Sequence, residues 1–286
     1  MRTPDGEDLR AWLGGPSGAE PLLLITGGSS AGRAWRFLLP DWWDLAPCEA
    51  EVASPVSLAS TLRVAVYDQR GTGGSSGSVP PDSASLASEH ALAVGRQLLG
   101  GRFHVFGHSL GGMAALALAV AYPEAVASLI LMGTTAGGVG LTMPDQDFLD
   151  NITGAGATDE RVRAEENLSL SFGPSFRSDP RLFDDFVTEI LAAPASPDSW
   201  VAQAMTFASH DVTEQLDGIG VPVLVVCGGG DRVMPLPNSQ YLAEHIPAAR
   251  LVQFAGRGHA LDIEEAGEIV ALLSGHLAEY PMARQA

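Results

Sequence analysis

The run Gly107-His108-Ser109-Leu110-Gly111-Gly112 constrains this chain more than any other feature. It follows an apolar run at 103–107 and opens an alanine-rich stretch at 110–122, which Pro123 stops. A strand that turns into a helix this abruptly holds its central residue in a strained backbone conformation. Side chains two positions before and after the centre would clash with neighbouring backbone, and glycine occupies both, at 107 and 111. The turn lifts the Ser109 hydroxyl clear of a sheet. It also aims the Leu110 N–H, and the positive end of the helix dipole, at the place where an oxyanion would form.

The rest of the chain repeats the strand-then-helix rhythm. Runs at 21–26, 62–67, 103–107, 126–132 and 221–227 are almost wholly apolar, as suits strands buried on both faces, and 250–254 reads as the last strand. Helical spacing at 82–99, 110–122, 239–246 and 263–278 alternates with them. This order predicts an α/β fold, with a mostly parallel sheet and helices on both faces. Residues 8–13 read as a further strand, joined to 21–26 by the turn at 14–18. Residues 33–61 read as a short helix and a long irregular excursion.

Residues 137–213 break the rhythm. They are polar and acidic, with helical patterns at 163–170, 180–191 and 199–209. The reading is a helical cap at 137–213, inserted into a core formed by 1–136 and 214–286. Phe148, Leu149, Phe172, Phe176, Phe186, Trp200 and Phe207 are its candidate pocket formers.

A serine hydroxyl is a weak nucleophile and needs a base, which in turn needs an acid to orient it. His259 lies in the glycine-rich stretch 254–260, after the last strand and before the last helix. Such loops open at the carboxyl edge of a parallel sheet, where the serine also sits. Asp231, in Gly228-Gly229-Gly230-Asp231, follows another apolar strand at the same edge. The other histidines fit less well: His104 is inside a strand, His90, His245 and His276 are on helices, and His210 ends the cap. The loop at 27–29 offers a second oxyanion donor, the Gly28 N–H first and Ser29 next. Ser29, His108 and Trp200 are candidate substrate-binding residues.

Composition narrows the chemistry further. The net charge of −18 repels phosphate backbones and anionic membrane surfaces. All 16 basic residues are arginine, so no lysine is present to form a Schiff base. Cys48 and Cys227 lack the spacing of a zinc site or a disulfide framework and read as small packing residues. Gly71-Thr72-Gly73-Gly74 falls short of a dinucleotide fingerprint. No metal or cofactor is implied. The N-terminus is polar and no run reaches the ~20 apolar residues of a membrane span. A cytoplasmic protein acting on a small molecule is the expectation, and oligomeric state is left open.

The combination of Thr26-Gly27-Gly28, Asp68-Gln69-Arg70-Gly71-Thr72-Gly73, Gly107–Gly112, Gly228–Pro235 and Gly256–His259 resembles the α/β-hydrolase superfamily over nearly the whole chain. Where members often carry His-Gly, this chain has Thr26-Gly27, which keeps the backbone donor. The 68–73 loop is similar to that of proline iminopeptidases, though Gly27-Gly28-Ser29-Ser30 departs from their Gly-Gly-Pro-Gly run. The Gly-Gly loop followed by Trp35 resembles polyketide methylesterases. The resemblance implies a serine hydrolase acting on a carboxylic ester or lactone through an acyl-enzyme. The alternatives are an aminopeptidase using Glu165, Glu166, Asp184 or Asp185 to hold a substrate amine, and a non-hydrolytic ligand-binding member.

Overall fold

A computed structural model describes residues 1–28, 31–42, 57–153, 156–174, 180–192, 196–247 and 249–282. Among the described residues seven strands form one sheet in the order β1-β3-β2-β4-β5-β6-β7. They are β1 (Ala11–Gly14), β2 (Pro21–Ile25), β3 (Arg63–Tyr67), β4 (Phe103–His108), β5 (Val126–Met132), β6 (Val223–Gly228) and β7 (Ala249–Phe254). All neighbours are parallel except β1, which runs antiparallel to β3 at the edge. This is the α/β architecture that the alternation predicts.

The continuous apolar runs have a direct cause. Successive strand residues point to opposite faces, and here both faces are covered. In β2, Leu23 and Ile25 join one buried cluster while Leu22 and Leu24 join the other. In β5, Leu129 and Leu131 face the first cluster and Ile130 and Met132 the second. β1 is only partly buried along its length, which suits an edge position. It does not pair with β2 across the 14–18 turn; β3 lies between them. The fully buried β2 gains more from a central position than from a hairpin at the rim.

The helices of the core are α1 (Ala84–Leu98), α2 (Leu110–Ala121), α7 (Leu236–His245), α8 (Leu261–Glu264) and α9 (Ala266–Glu279). Ser83 caps α1 by accepting from the Leu86 N–H at 3.3 Å. The single helix expected at 263–278 is two, broken at Glu265. The break lets Glu264 and Glu265 reach back: Glu264 accepts from the Gly258 N–H at 2.8 Å, and Glu265 pairs with Arg257.

Between β5 and β6 lie α3 (Gln146–Thr153), α4 (Glu160–Ser171), α5 (Pro180–Ala192) and α6 (Pro197–Ser209). Sequence periodicity indicates the last three but not α3. The start of α3 rests on a tertiary contact, since Asp145 accepts from Arg232 at 2.8 and 3.0 Å and also from the Asp147 N–H at 3.0 Å. Phe172 and Phe186 pack face to flank, 5.6 Å between ring centroids, within a small core that includes Leu168, Val187 and Ala260. Phe207 packs beside Met113 and Met234. These aromatics hold the inserted helices to one another and to the sheet domain. Phe176 and Cys48 lie outside the described residues, and Cys227 is buried in β6. Among the described residues no helix is long and apolar enough to cross a membrane.

Candidate active site

The turn from β4 into α2 has the conformation its glycines predict. Ser109 has φ 56° and ψ −124°, and among the described residues it alone combines a side chain with a positive φ. A Cβ at Gly111 would collide with the Ile25 and Thr26 carbonyls, and one at Gly107 with the Gly111 carbonyl and Gly112. Two bonds fix the turn to β5: the Ser109 N–H donates to the Met132 carbonyl at 2.9 Å, and the Thr134 hydroxyl donates to the Ser109 carbonyl at 2.8 Å. Leu110 is the first residue of α2, where a backbone N–H has no partner within the helix.

Asp231 and His259 come from loops after β6 and β7 and meet at the same sheet edge. The His259 Nδ1–H donates to Asp231 Oδ2 at 2.8 Å. The other oxygen, Asp231 Oδ1, accepts from the Val233 and Met234 N–H groups at 2.8 and 2.7 Å. Such bonds hold the carboxylate in one orientation. With its proton on Nδ1, the His259 ring presents Nε2 as an acceptor. The two side chains are almost fully enclosed, Asp231 at 0 % and His259 at 9 % exposure.

Three further contacts hold the histidine. The His259 N–H donates to the Ser171 carbonyl at the end of α4, at 2.6 Å. Glu264 Oε1 joins the same two segments by accepting from Gly173 at 3.0 Å and Gly258 at 2.8 Å. On the other side the His108 ring lies 4.6 Å from the His259 ring, and His108 Nε2–H donates to the His259 carbonyl at 3.1 Å. Burial and the neighbouring His259 hold His108 well below the usual histidine range, so it stays neutral. His108 therefore buttresses His259. Among the described residues no hydrogen bond joins the Ser109 hydroxyl to His259.

Gly133 closes the arrangement. It follows β5 with φ +52°, and a Cβ there would lie 2.9 Å from His259 Nδ1 and 3.3 Å from Asp231 Oδ2. The absence of a side chain makes room for the His–Asp pair directly beside the strand that carries Ser109. In the sequence this role shows only as a glycine directly after the apolar run 126–132.

On the opposite side of Ser109, Gly27 is so close that its missing Cβ would sit 3.2 Å from the Ser109 Cβ. Gln69 Nε2–H donates to the Thr26 carbonyl at 2.7 Å and fixes the peptide that leads into Gly27 and Gly28. Gly28 and Leu110 line one small pocket together with Gln69, Thr72, Gln203 and Thr206. Gln203 and Thr206 come from α6 and carry no signal in the sequence. Trp200 is half-buried on α6 and is not among the residues lining this pocket. Ser29 lies outside the described residues.

The glycine-rich 71–74 stretch is occupied by its own carboxylate. Asp68 accepts from the Gly74 N–H at 2.7 Å and from the Gly32 N–H at 2.8 Å. The turn thus presents an acid where a phosphate cradle would present bare N–H groups. Among the acids suggested for holding an amine, Glu165 and Asp184 pair with Arg161 at the surface, and Glu166 and Asp185 are exposed. Among the described residues no cluster of side chains suits a metal ion.

Comparison with known proteins agrees with this fold. A family model described as the alpha/beta hydrolase fold matches residues 20–266. A 2-hydroxymuconate semialdehyde hydrolase of Pseudomonas sp. is 29 % identical over 278 residues, covering 91 % of this chain and 87 % of that protein. RutD of Caulobacter sp., described as a candidate carbamate hydrolase, is 30 % identical over 236 residues, covering 78 % and 84 %. Among solved structures, a thermophilic esterase from Thermogutta terrifontis superposes with a TM-score of 0.76 at 24 % identity, covering 99 % of this chain and 97 % of that one.

Proposed function

The chain belongs to the α/β-hydrolase family, and from that premise we propose that it is a serine hydrolase cleaving carboxylic esters or lactones through an acyl-enzyme. The observation that carries the reading is the 2.8 Å bond from His259 Nδ1 to an Asp231 carboxylate that also accepts two backbone N–H groups. An imidazole so held has one tautomer, with Nε2 ready to take a proton.

In the proposed reaction Ser109 Oγ attacks the carbonyl carbon while its proton passes to His259 Nε2. The carbonyl oxygen becomes an oxyanion between the Leu110 and Gly28 N–H groups. When the C–O bond to the alcohol breaks, His259 gives that alcohol its proton. Water, deprotonated by His259, then attacks the acyl-Ser109 ester and releases the acid. Asp231 stabilises the imidazolium in both halves. The serine–histidine contact is often long in unliganded hydrolases and tightens when substrate binds. Residues 137–213 act in this reading as a cap over the site.

A second reading, a carbamate as substrate, rests on the RutD likeness. A carbamate presents the same carbonyl to the same attack. A small molecule is the partner in either case, and cytoplasmic residence is the proposed location.

Labelling with a fluorophosphonate probe tests the proposal. Wild type is expected to be labelled and Ser109→Ala not; equal labelling of the two, or none of wild type, refutes it. Comparing p-nitrophenyl esters with aminoacyl nitroanilides then separates ester hydrolysis from peptidase activity.

A further inference from the structure

Beside the His–Asp pair one further carboxylate bridges two separate segments. Glu264 lies on α8, and its Oε1 accepts from the Gly258 N–H at 2.8 Å and the Gly173 N–H at 3.0 Å. Gly258 directly precedes His259, and Gly173 lies two residues past the end of α4. The other oxygen, Oε2, is enclosed without a hydrogen-bond partner. Enclosing a carboxylate oxygen in this way costs stability. What the chain gains is one acceptor that joins the His259 loop to the inserted helices.

The two segments meet backbone to backbone. The Ser171 carbonyl accepts from the His259 N–H at 2.6 Å and from the Ala260 N–H at 3.1 Å. A Cβ on Gly258 would overlap that carbonyl, and one on Gly173 would press on the Gly256 carbonyl. One on Gly228, at the end of β6, would overlap the Gly258 carbonyl. Glycine at these three positions lets the end of α4, the His259 loop and β6 stack with no side chain between them. Ala260 and Ile263 carry the contact on into the apolar core around Leu168 and Phe172.

His259 is therefore held from two sides. Asp231 fixes one nitrogen of its ring. The main chain that carries the ring is fixed by Ser171 and, through Gly258, by Glu264.

We propose that Glu264 is a positioning residue for the reaction: it locks the His259 loop to the end of α4, so that the base keeps its place and the inserted helices cannot lift at α4 without carrying His259 along. This rests on the serine-hydrolase reading above. The role requires reach rather than charge. Glutamine keeps an acceptor oxygen at the same distance from the main chain. Aspartate keeps the charge but is one methylene, about 1.5 Å, short. An oxygen withdrawn that far cannot hold both N–H groups.

The test measures kcat and KM on a p-nitrophenyl ester, the rate of fluorophosphonate labelling and the thermal melt for wild type, Glu264→Asp and Glu264→Gln. A base displaced by a few tenths of an ångström should cost roughly tenfold, a fraction of the effect of a 1 Å displacement. Glu264→Asp is expected to lose that much in kcat and in labelling rate, well below its melting temperature and with KM essentially unchanged. Glu264→Gln is expected to keep most of its kcat. A folded Glu264→Asp with wild-type kcat overturns the proposal, even if its Tm falls, because the contact is then structural only. So does a Glu264→Gln that loses as much as the aspartate, because charge is then what matters. A wild type that is not labelled overturns the hydrolase reading, and the positioning role with it. Hydrogen exchange on wild type needs no variant to fold. The amides of Gly173, Gly258, His259 and Ala260 are expected to be protected together, and free exchange at them shows that no lock exists.

Discussion

Substituting Gly133 by alanine should separate backbone strain from damage to the His–Asp pair. At φ +52° an L-residue pays about 1–2 kcal/mol for the left-handed conformation. For a chain of this size that corresponds to a fall in Tm of a few degrees. The second effect is local. The new methyl would stand 2.9 Å from His259 Nδ1, 3.0 Å from Cε1 and 3.3 Å from Asp231 Oδ2. Contacts that short require a shift of several tenths of an ångström. The ring has little freedom to make it, because His108 packs 4.6 Å away and the His259 N–H is held by Ser171 at 2.6 Å. A misplacement of about 1 Å at a reacting centre costs on the order of 100-fold. A shift of several tenths of an ångström is a fraction of that, so Gly133→Ala should lose roughly 10-fold in kcat on a p-nitrophenyl ester. Gly100→Ala is the matched control: its φ is +104°, but no atom lies within 4 Å of the added methyl. It should lose stability and keep its activity. Thermal melts and steady-state kinetics on both variants check this. If Gly133→Ala keeps wild-type kcat, or Gly100→Ala loses as much, the argument that Gly133 exists to admit the His–Asp pair is wrong.

Two further predictions concern pH. Burial pushes the Asp262 carboxyl up to about 6, with His259 and Arg36 opposing the shift. A raised pKa means that its contribution is fully present below about pH 3.8, declines as pH rises through about 6, and above that becomes the full cost of a buried carboxylate. That cost is on the order of 3 kcal/mol, so Asp262→Asn should be more stable than wild type by up to that amount at about pH 8, and no more stable near pH 4. Urea unfolding at both pH values checks it, and a gain equal at both would count against it. His276 has the opposite sign. Burial, chiefly, lowers it to about 4, and its Nε2 is enclosed without a hydrogen-bond partner. The stability of the neutral ring is present above about pH 6.5 and is lost as pH falls through about 4. His276→Phe should flatten that part of the pH–stability curve, and an unchanged slope would show that this ring is not among the groups that titrate there.

The sequence alone determined the sheet and its loops. Doubly buried strands demand largely apolar runs, and tight strand-to-helix turns demand glycine, so β2 to β6 and the turn at Ser109 are written in local composition. Parallel strands carry their loops to one edge, which is why Ser109, Asp231 and His259 could be nominated together from positions far apart in the chain. Tertiary structure decided what depends on partners distant in sequence. The placement of β3 between β1 and β2 follows from which strand gains most by central burial. The start of α3 depends on Arg232, and the break between α8 and α9 on what Glu264 and Glu265 reach back to hold. The service of His108 to His259 and the clearance at Gly133 each require two surfaces to meet. Periodicity records which face of an element is apolar, but a single polar side chain pressed against a glycine leaves no period to read.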